Sequence, residues 1–140
     1  MKYCAKQQNI GSGLSGLGEE KEMNNELNSF GKILMNDVRD TTIESFDNMI
    51  NGTMKGITAE NVQEKIREFS DGQIDVVKWM IPQVVDLCLH NILWMVEQEE
   101  DITLSFKEIN LKDESDGLSG ELYTEDGWIQ KYSLQRYEEI

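Results

Sequence analysis

Apolar residues recur every three or four positions through much of the chain, which is the spacing typical of amphipathic helices. From Asn24 such a pattern continues to Gly52, a residue that favours helix ends, and Thr41 and Thr42 weaken its middle. One long helix and two shorter helices both fit this pattern. A further helix is predicted to begin after Thr58, because threonine caps helix N-termini well.

The most apolar segment runs from Gln73 to about Gln98. Ser70 and Gln73 have the spacing of a capping box, which predicts a helix start there. Apolar side chains cover nearly every side of this helix, and a helix of that kind is expected at the buried centre of a fold. Pro82 interrupts it and predicts a kink or a break, since proline lacks a backbone donor and clashes with the preceding turn.

After this helix the apolar period changes from three or four to two. Ile102, Leu104 and Phe106 alternate with polar residues, which predicts a half-buried strand. Asp126 and Gly127 lie between two further strand-like segments and are typical of a two-residue hairpin turn. The pattern therefore predicts an α+β fold in which N-terminal helices, including the central helix kinked at Pro82, pack on a C-terminal three-stranded antiparallel β-meander.

Residues 1–22 differ from the rest, because they are rich in glycine and serine and have no usable periodicity. We expect a flexible tail there and a single α+β domain over residues 23–140. The segment from Gly18 to Glu22 can be encoded by a purine run directly ahead of the Met23 codon, as a bacterial ribosome-binding site would be. A native start at Met23 and a genuine disordered tail are therefore both open.

Negative charge is concentrated in the second half of the chain. Residues 71–140 hold 16 Asp/Glu against 5 Lys/Arg, whereas residues 1–70 hold 11 against 8. Such a field repels nucleic acid and anionic lipid and attracts basic surfaces, so we expect neither a nucleic-acid nor a membrane partner. With no signal-peptide pattern and with Cys4 and Cys88 unsuited to pairing, a reduced, cytoplasmic bacterial protein is expected.

Two constellations of polar residues offer alternative chemistry. Asp86 lies one helical turn before His90, and a carboxylate so placed can orient an imidazole for catalysis or ligand binding. The competing interpretation is a hydrogen-bonded pair inside the core. The segment Asp37 to Asp40 with Glu44 could similarly hold Mg²⁺, although a solvated face is the more economical interpretation.

No motif for a metal, a cofactor or a nucleophile is present, so we predict none, and Cys88 is expected to fill the core. The leading hypothesis is an acidic protein-binding module, of the inhibitor or immunity type, that blocks a basic effector. Its carboxylates would steer the partner and the aromatic residues of the predicted hairpin would anchor it. The predicted contact residues are Glu97, Glu99, Glu100, Asp101, Asp113, Glu114, Asp116, Glu121, Glu125, Asp126 and Trp128.

The sequence is also consistent with two other functions. An enzyme or small-ligand-binding domain could be centred on Asp86 and His90, where a pocket would open onto the imidazole. A homo-oligomer could instead form by pairing of the exposed strand edges.

Overall fold

The computed structural model describes residues 16–135, with side chains described from Asn25 onward. The molecule is mostly helical. Helix α1 spans Gly16–Ile33, and a π-helical segment, Leu34–Asp40, joins it directly to α2 at Thr41–Ile50. Helix α3 spans Ile57–Ile66, and α4 spans Asp71–Gln98. Most of the tail predicted for residues 1–22 lies outside the described residues, although α1 already begins at Gly16.

The C-terminal part holds short elements. Strands β1 (Ser105–Phe106) and β2 (Ile109–Asn110) form an antiparallel hairpin in which Phe106 faces Ile109. A 3₁₀ turn spans Gly120–Leu122, and a short helix, α5, spans Trp128–Tyr132.

The π segment follows from the spacing of the residues that face the core. Leu27, Gly31, Met35, Arg39 and Ile43 are all buried and recur every four residues. In an α-helix of 3.6 residues per turn, each step of four rotates the buried face by about 40°. The wider turns of a π-helix offset that rotation and keep these side chains directed inward. At the end of the segment, the hydroxyl of Thr41, the first residue of α2, donates to the Asn36 carbonyl over 3.1 Å.

The helix boundaries match the sequence predictions at Ser70 and at Gly52 and differ at Thr58. The Ser70–Gln73 capping box is present in both directions, which confirms that prediction. Gly52, with a φ of 73°, follows the end of α2 as expected. The N-cap of α3 is Gly56 rather than Thr58, because its φ of 122° is accessible to glycine and strained for other residues.

Helix α4 is continuous at its proline and differs from expectation in its burial. It runs through Pro82 without a break, so of the predicted kink or break the break is wrong, and the Pro82 ring is buried. The helix is also not the enclosed centre of the fold. Pro82, Leu89, Leu93 and Val96 face the core, whereas much of the opposite side is exposed, including Cys88. The prediction that Cys88 fills the core is therefore wrong.

The predicted three-stranded meander is also wrong within residues 16–135. Alternating burial over residues 102–106 is as predicted, but only β1 and β2 pair, joined by Lys107 and Glu108, which both have positive φ. Asp126–Gly127 is not a hairpin turn, because Gly127 is the N-cap of α5. Trp128 and Ile129 are consecutive and both buried, which a helical turn allows and an alternating strand does not.

The core forms where α1, α4 and the C-terminal segment (residues 99–135, after α4) meet. Its fully buried members include Met35, Leu111, Leu118, Leu122 and Trp128. The Trp128 indole lies over the backbone of Gly31, and Phe30 packs edge-on against it at 5.9 Å between ring centroids. The close approach of helix and indole is possible only because residue 31 has no side chain.

We predict that Gly31→Ala destabilises the protein. A Cβ at residue 31 would overlap the buried Trp128 ring, and overpacking of this kind costs about 1–3 kcal/mol. The gain in helix propensity offsets only up to about 1 kcal/mol. Urea unfolding should show the loss, and Gly72→Ala, where nothing lies near the added Cβ, should be neutral or stabilising. Equal behaviour of the two variants would contradict the assigned packing.

Candidate functional site

The C-terminal segment folds back on α1 and leaves an open cleft of about 710 Å³ between them. Leu27 and Asn28 of α1 form one wall. The opposite side is built from the loop at residues 114–117, the 3₁₀ turn and the start of α5. Four of the predicted contact residues line this cleft: Glu114, Asp116, Glu121 and Asp126. We call it the acidic cleft.

Buried leucines and a few hydrogen bonds fix the backbone around the acidic cleft. Leu118 and Leu122 are fully buried and anchor the loop and the 3₁₀ turn. The Ser115 hydroxyl donates to the Glu121 carboxylate over 2.6 Å, and Glu97 accepts from the Ser119 amide over 2.8 Å. Glu97 therefore positions the loop, and it does so from the end of α4.

The acidic cleft is strongly negative. Its lining carries four carboxylates and one ammonium group, that of Lys131, which lies 3.9 Å from the Asp126 carboxylate. Asp126 is 93% exposed, so this ion pair is well solvated and weak. Carboxylates converging on one concavity with a single counter-charge can attract a cationic group from solution.

Tyr123 adds a polar aromatic group to the cleft wall. Its ring lies 5.7 Å from that of His90, centroid to centroid. Burial raises the pKa of the Tyr123 hydroxyl above its usual 10.0, and the negative charge of Asp86 raises it further. The hydroxyl therefore stays protonated at neutral pH and is available as a hydrogen-bond donor.

The remaining predicted contact residues do not line the acidic cleft. Glu99, Glu100 and Asp101 are exposed at the end of α4, and Asp113 and Glu125 are exposed on loops. The Asp113 carboxylate accepts a hydrogen bond from the side-chain Nδ2 of Asn110 over 2.7 Å. Trp128 is fully buried in the core and so offers no surface to a partner.

Asp86 belongs to a buried ionic cluster that the sequence alone did not suggest. Its two carboxylate oxygens accept from Nε and Nη2 of Arg39, over 2.5 and 3.0 Å. Nη1 of Arg39 donates to the Ser133 hydroxyl and to the Gln135 carbonyl, and it lies 3.4 Å from the Asp40 carboxylate. We refer to Arg39, Asp40, Asp86 and Ser133 as the Arg39 cluster.

The second acid of the Arg39 cluster holds the C-terminal segment. Asp40 accepts from the Ser133 hydroxyl over 2.6 Å and from the Leu134 amide over 2.7 Å. Arg39 is 1% exposed and Asp40 is 7% exposed, so the expectation of a solvated face around these residues is wrong for them. Asp37 and Glu44 do remain at the surface.

One nitrogen of the His90 imidazole, Nδ1, is buried without a hydrogen-bond partner. Asp86 is engaged by Arg39, so it is not placed to orient the imidazole as a catalytic carboxylate would. The acidic cleft reaches the neighbouring Tyr123 but its lining does not include His90.

A metal site is not evident among the described residues. Among the side chains that the structure describes, those of residues 25–135, no group of three or more His, Cys, Asp or Glu is arranged to hold an ion. Comparisons with protein-family models, with curated proteins and with solved structures each found no match to this chain.

We predict that Asp86→Ala lowers the free energy of unfolding by about 3 kcal/mol or more. Removing Asp86 leaves Nε and Nη2 of the almost fully enclosed Arg39 without their acceptors, and Asp40 is then the one carboxylate left beside the guanidinium. Chemical denaturation should show the loss. Asp75→Ala removes an exposed acid from the same helix and should change stability by less than about 0.5 kcal/mol. A small effect of Asp86→Ala would mean that Arg39 is not held as described.

We also predict that Tyr123→Phe reduces the loss of stability at alkaline pH. The folded state raises the pKa of Tyr123, so the unfolded state ionises first as the pH passes 10.0. The stabilisation is complete below that pH and is lost as the pH rises through the higher folded value. Urea unfolding across this window should show a shallower decline for the variant, and Tyr132→Phe is the control. Parallel declines would contradict the assignment.

Proposed function

We propose that the protein is an acidic binding module for a basic partner protein, and that the acidic cleft is the contact site. The observation that supports this most directly is the convergence of Glu114, Asp116, Glu121 and Asp126 on one concave surface. Exposed carboxylates spread evenly over a surface would act only through net charge. Gathered in a cleft with Tyr123, they can accept hydrogen bonds from an inserted Lys or Arg side chain.

The partner chemistry follows from the shape and charge of the acidic cleft. A cleft open on one side and lined by loops suits one or two long cationic side chains on a protruding segment. An effector that uses basic residues to hold phosphate, such as a nuclease, presents side chains of this kind. Occupying them with carboxylates would block the phosphate site, which is the action of an inhibitor or immunity-type protein. The exposed acids outside the cleft, including Glu99 and Glu100, would accelerate the encounter.

An enzyme or ligand-binding domain centred on Asp86 and His90 is the alternative. The unpartnered Nδ1 of His90 favours it, because a buried polar atom without a partner needs an explanation. The engagement of Asp86 with Arg39 counts against it. His90→Ala should therefore leave the binding of a basic partner nearly intact.

We predict that neutralising the acidic cleft weakens binding of a basic probe by about tenfold or more. The variant combines Glu114→Gln, Asp116→Ser and Glu121→Gln, and the probe is a fluorescent deca-arginine peptide followed by anisotropy at low salt. The control variant combines Glu60→Gln, Glu64→Gln and Glu68→Gln, which removes the same charge from the exposed side of α3 and its end. It should weaken binding by less than about threefold, because remote exposed charges act only through the screened field.

The comparison between the two variants decides the proposal. Equal weakening would mean that net charge alone binds the probe and that the acidic cleft has no special part. A pull-down from the source cells at low salt, with both variants and with mass spectrometry, would then identify a partner whose capture is lost only in the cleft variant.

A further inference from the structure

The outward side of α4 is a long apolar stripe. Val84 and Leu87 are 60% and 59% exposed, Trp94 is 50% exposed and Met80 is 49% exposed. The two charged residues between Val76 and Met95, Lys78 and Asp86, are part-buried and are bonded to Asn51 and Arg39 on other sides of the helix, and the polar residues exposed there are Gln83, Cys88 and Asn91. By length and composition alone, α4 also passes as a membrane-spanning helix, a property it shares with core helices of soluble proteins.

The stripe follows a heptad repeat. Val77, Val84 and Asn91 lie seven residues apart, and Met80, Leu87 and Trp94 form a second series at the same interval. The two series alternate at steps of three and four residues, as the a and d positions of a coiled coil do. Pro82, Leu89 and Val96, which pack into the core, fall on the opposite side at the f position. The helix therefore presents one side to its own fold and a coiled-coil seam to the outside.

We infer that α4 pairs with α4 of a second copy of this chain along that seam, which we call the α4 seam. The exposed parts of its apolar residues and of their apolar neighbours on the same side of α4 (Val76, Met80, Val84, Leu87, Trp94 and Met95) amount to on the order of 600 Å², about three quarters of the ~800 Å² that each partner contributes to a standard interface. Monomers rarely leave a patch of this size uncovered.

Asn91 supports a second helix rather than lipid as the occupant. It stands at an a position, where a single asparagine in a coiled coil fixes register and partner number by pairing across the interface. In a hydrocarbon environment the same amide would be left without partners. The stripe also covers only one side of α4, and acids flank it at both ends, namely Asp71 and Asp75 before it and Glu99, Glu100 and Asp101 after it.

Self-association through the α4 seam and binding of a basic partner should respond to added salt in opposite directions. Two chains of net charge −14 repel each other, so added salt should strengthen self-association. Binding of a basic partner in the acidic cleft should weaken under the same change. The two proposals rest on different surfaces, and either can fail without the other.

The test is sedimentation equilibrium of the full chain under reducing conditions, which prevents a disulfide at the exposed Cys88 from imitating association. We expect a species of twice the 16.1 kDa chain mass at micromolar concentration. Leu87→Glu should weaken association by roughly a hundredfold, because it places a carboxylate in the seam of both copies. Ile57→Glu is the control, since Ile57 is 79% exposed and lies on α3, and it should leave the association unchanged.

Three results would overturn the inference: a monomer at all concentrations, dimers unaffected by Leu87→Glu, or a monomer that floats with phosphatidylcholine vesicles. Circular dichroism should show that Leu87→Glu keeps the helical fold. If it does not fold, Asn91→Val decides, because it should tighten association by about tenfold. An unchanged association in that variant would likewise contradict the α4 seam.

Discussion

The buried guanidinium of Arg39 is the constraint on which the rest of the structure depends. An enclosed cation is tolerated only when anions and hydrogen-bond acceptors surround it. Those groups come from three parts of the chain: Asp40 is the next residue, Asp86 lies on α4, and Ser133 with the Gln135 carbonyl follows α5. The segment before α5 frames the acidic cleft, so docking of α5 through the Arg39 cluster also sets the position of that cleft.

The packing of the continuous helix formed by α1, the π segment and α2 obeys a related constraint. The buried residues Leu27, Gly31, Met35, Arg39 and Ile43 keep a strict spacing of four, and the π segment lets that spacing stay on one face. Gly31 is where this face meets Trp128, and Arg39 is where it meets Ser133 and the Gln135 carbonyl. One regular feature of the sequence therefore places both the hydrophobic contact and the polar contact that fasten the C-terminal segment.

Local signals predicted the helices well, and long-range packing decided the rest. The capping box at Ser70 and the alternating burial from Ile102 to Phe106 depend on neighbours in sequence, so they could be read in advance. The predicted meander is wrong because Trp128 and Ile129 are both buried in the core. Two consecutive buried residues fit the helical turn after Gly127 and do not fit an alternating strand. Similarly, Asp86 was paired with His90 because they lie one helical turn apart. Its partner in the structure, Arg39, is 47 residues away, and local spacing gives no sign of it. The excess of acids in the second half of the chain pointed to the residues that line the acidic cleft, but it did not show which of those acids lie close together in the fold.

Helix α4 was expected at the centre because it is apolar on nearly every side, and that inference assumed a single buried environment. The structure separates the apolar residues into two sets on opposite sides of the helix. Those facing the core serve the monomer, and those of the α4 seam alternate at steps of three and four residues, as the a and d positions of a coiled coil do. An apolar outer face that costs solubility, kept free of Asp, Glu, Lys and Arg in a chain where 29% of residues carry charge, is most simply explained by a second helix that covers it.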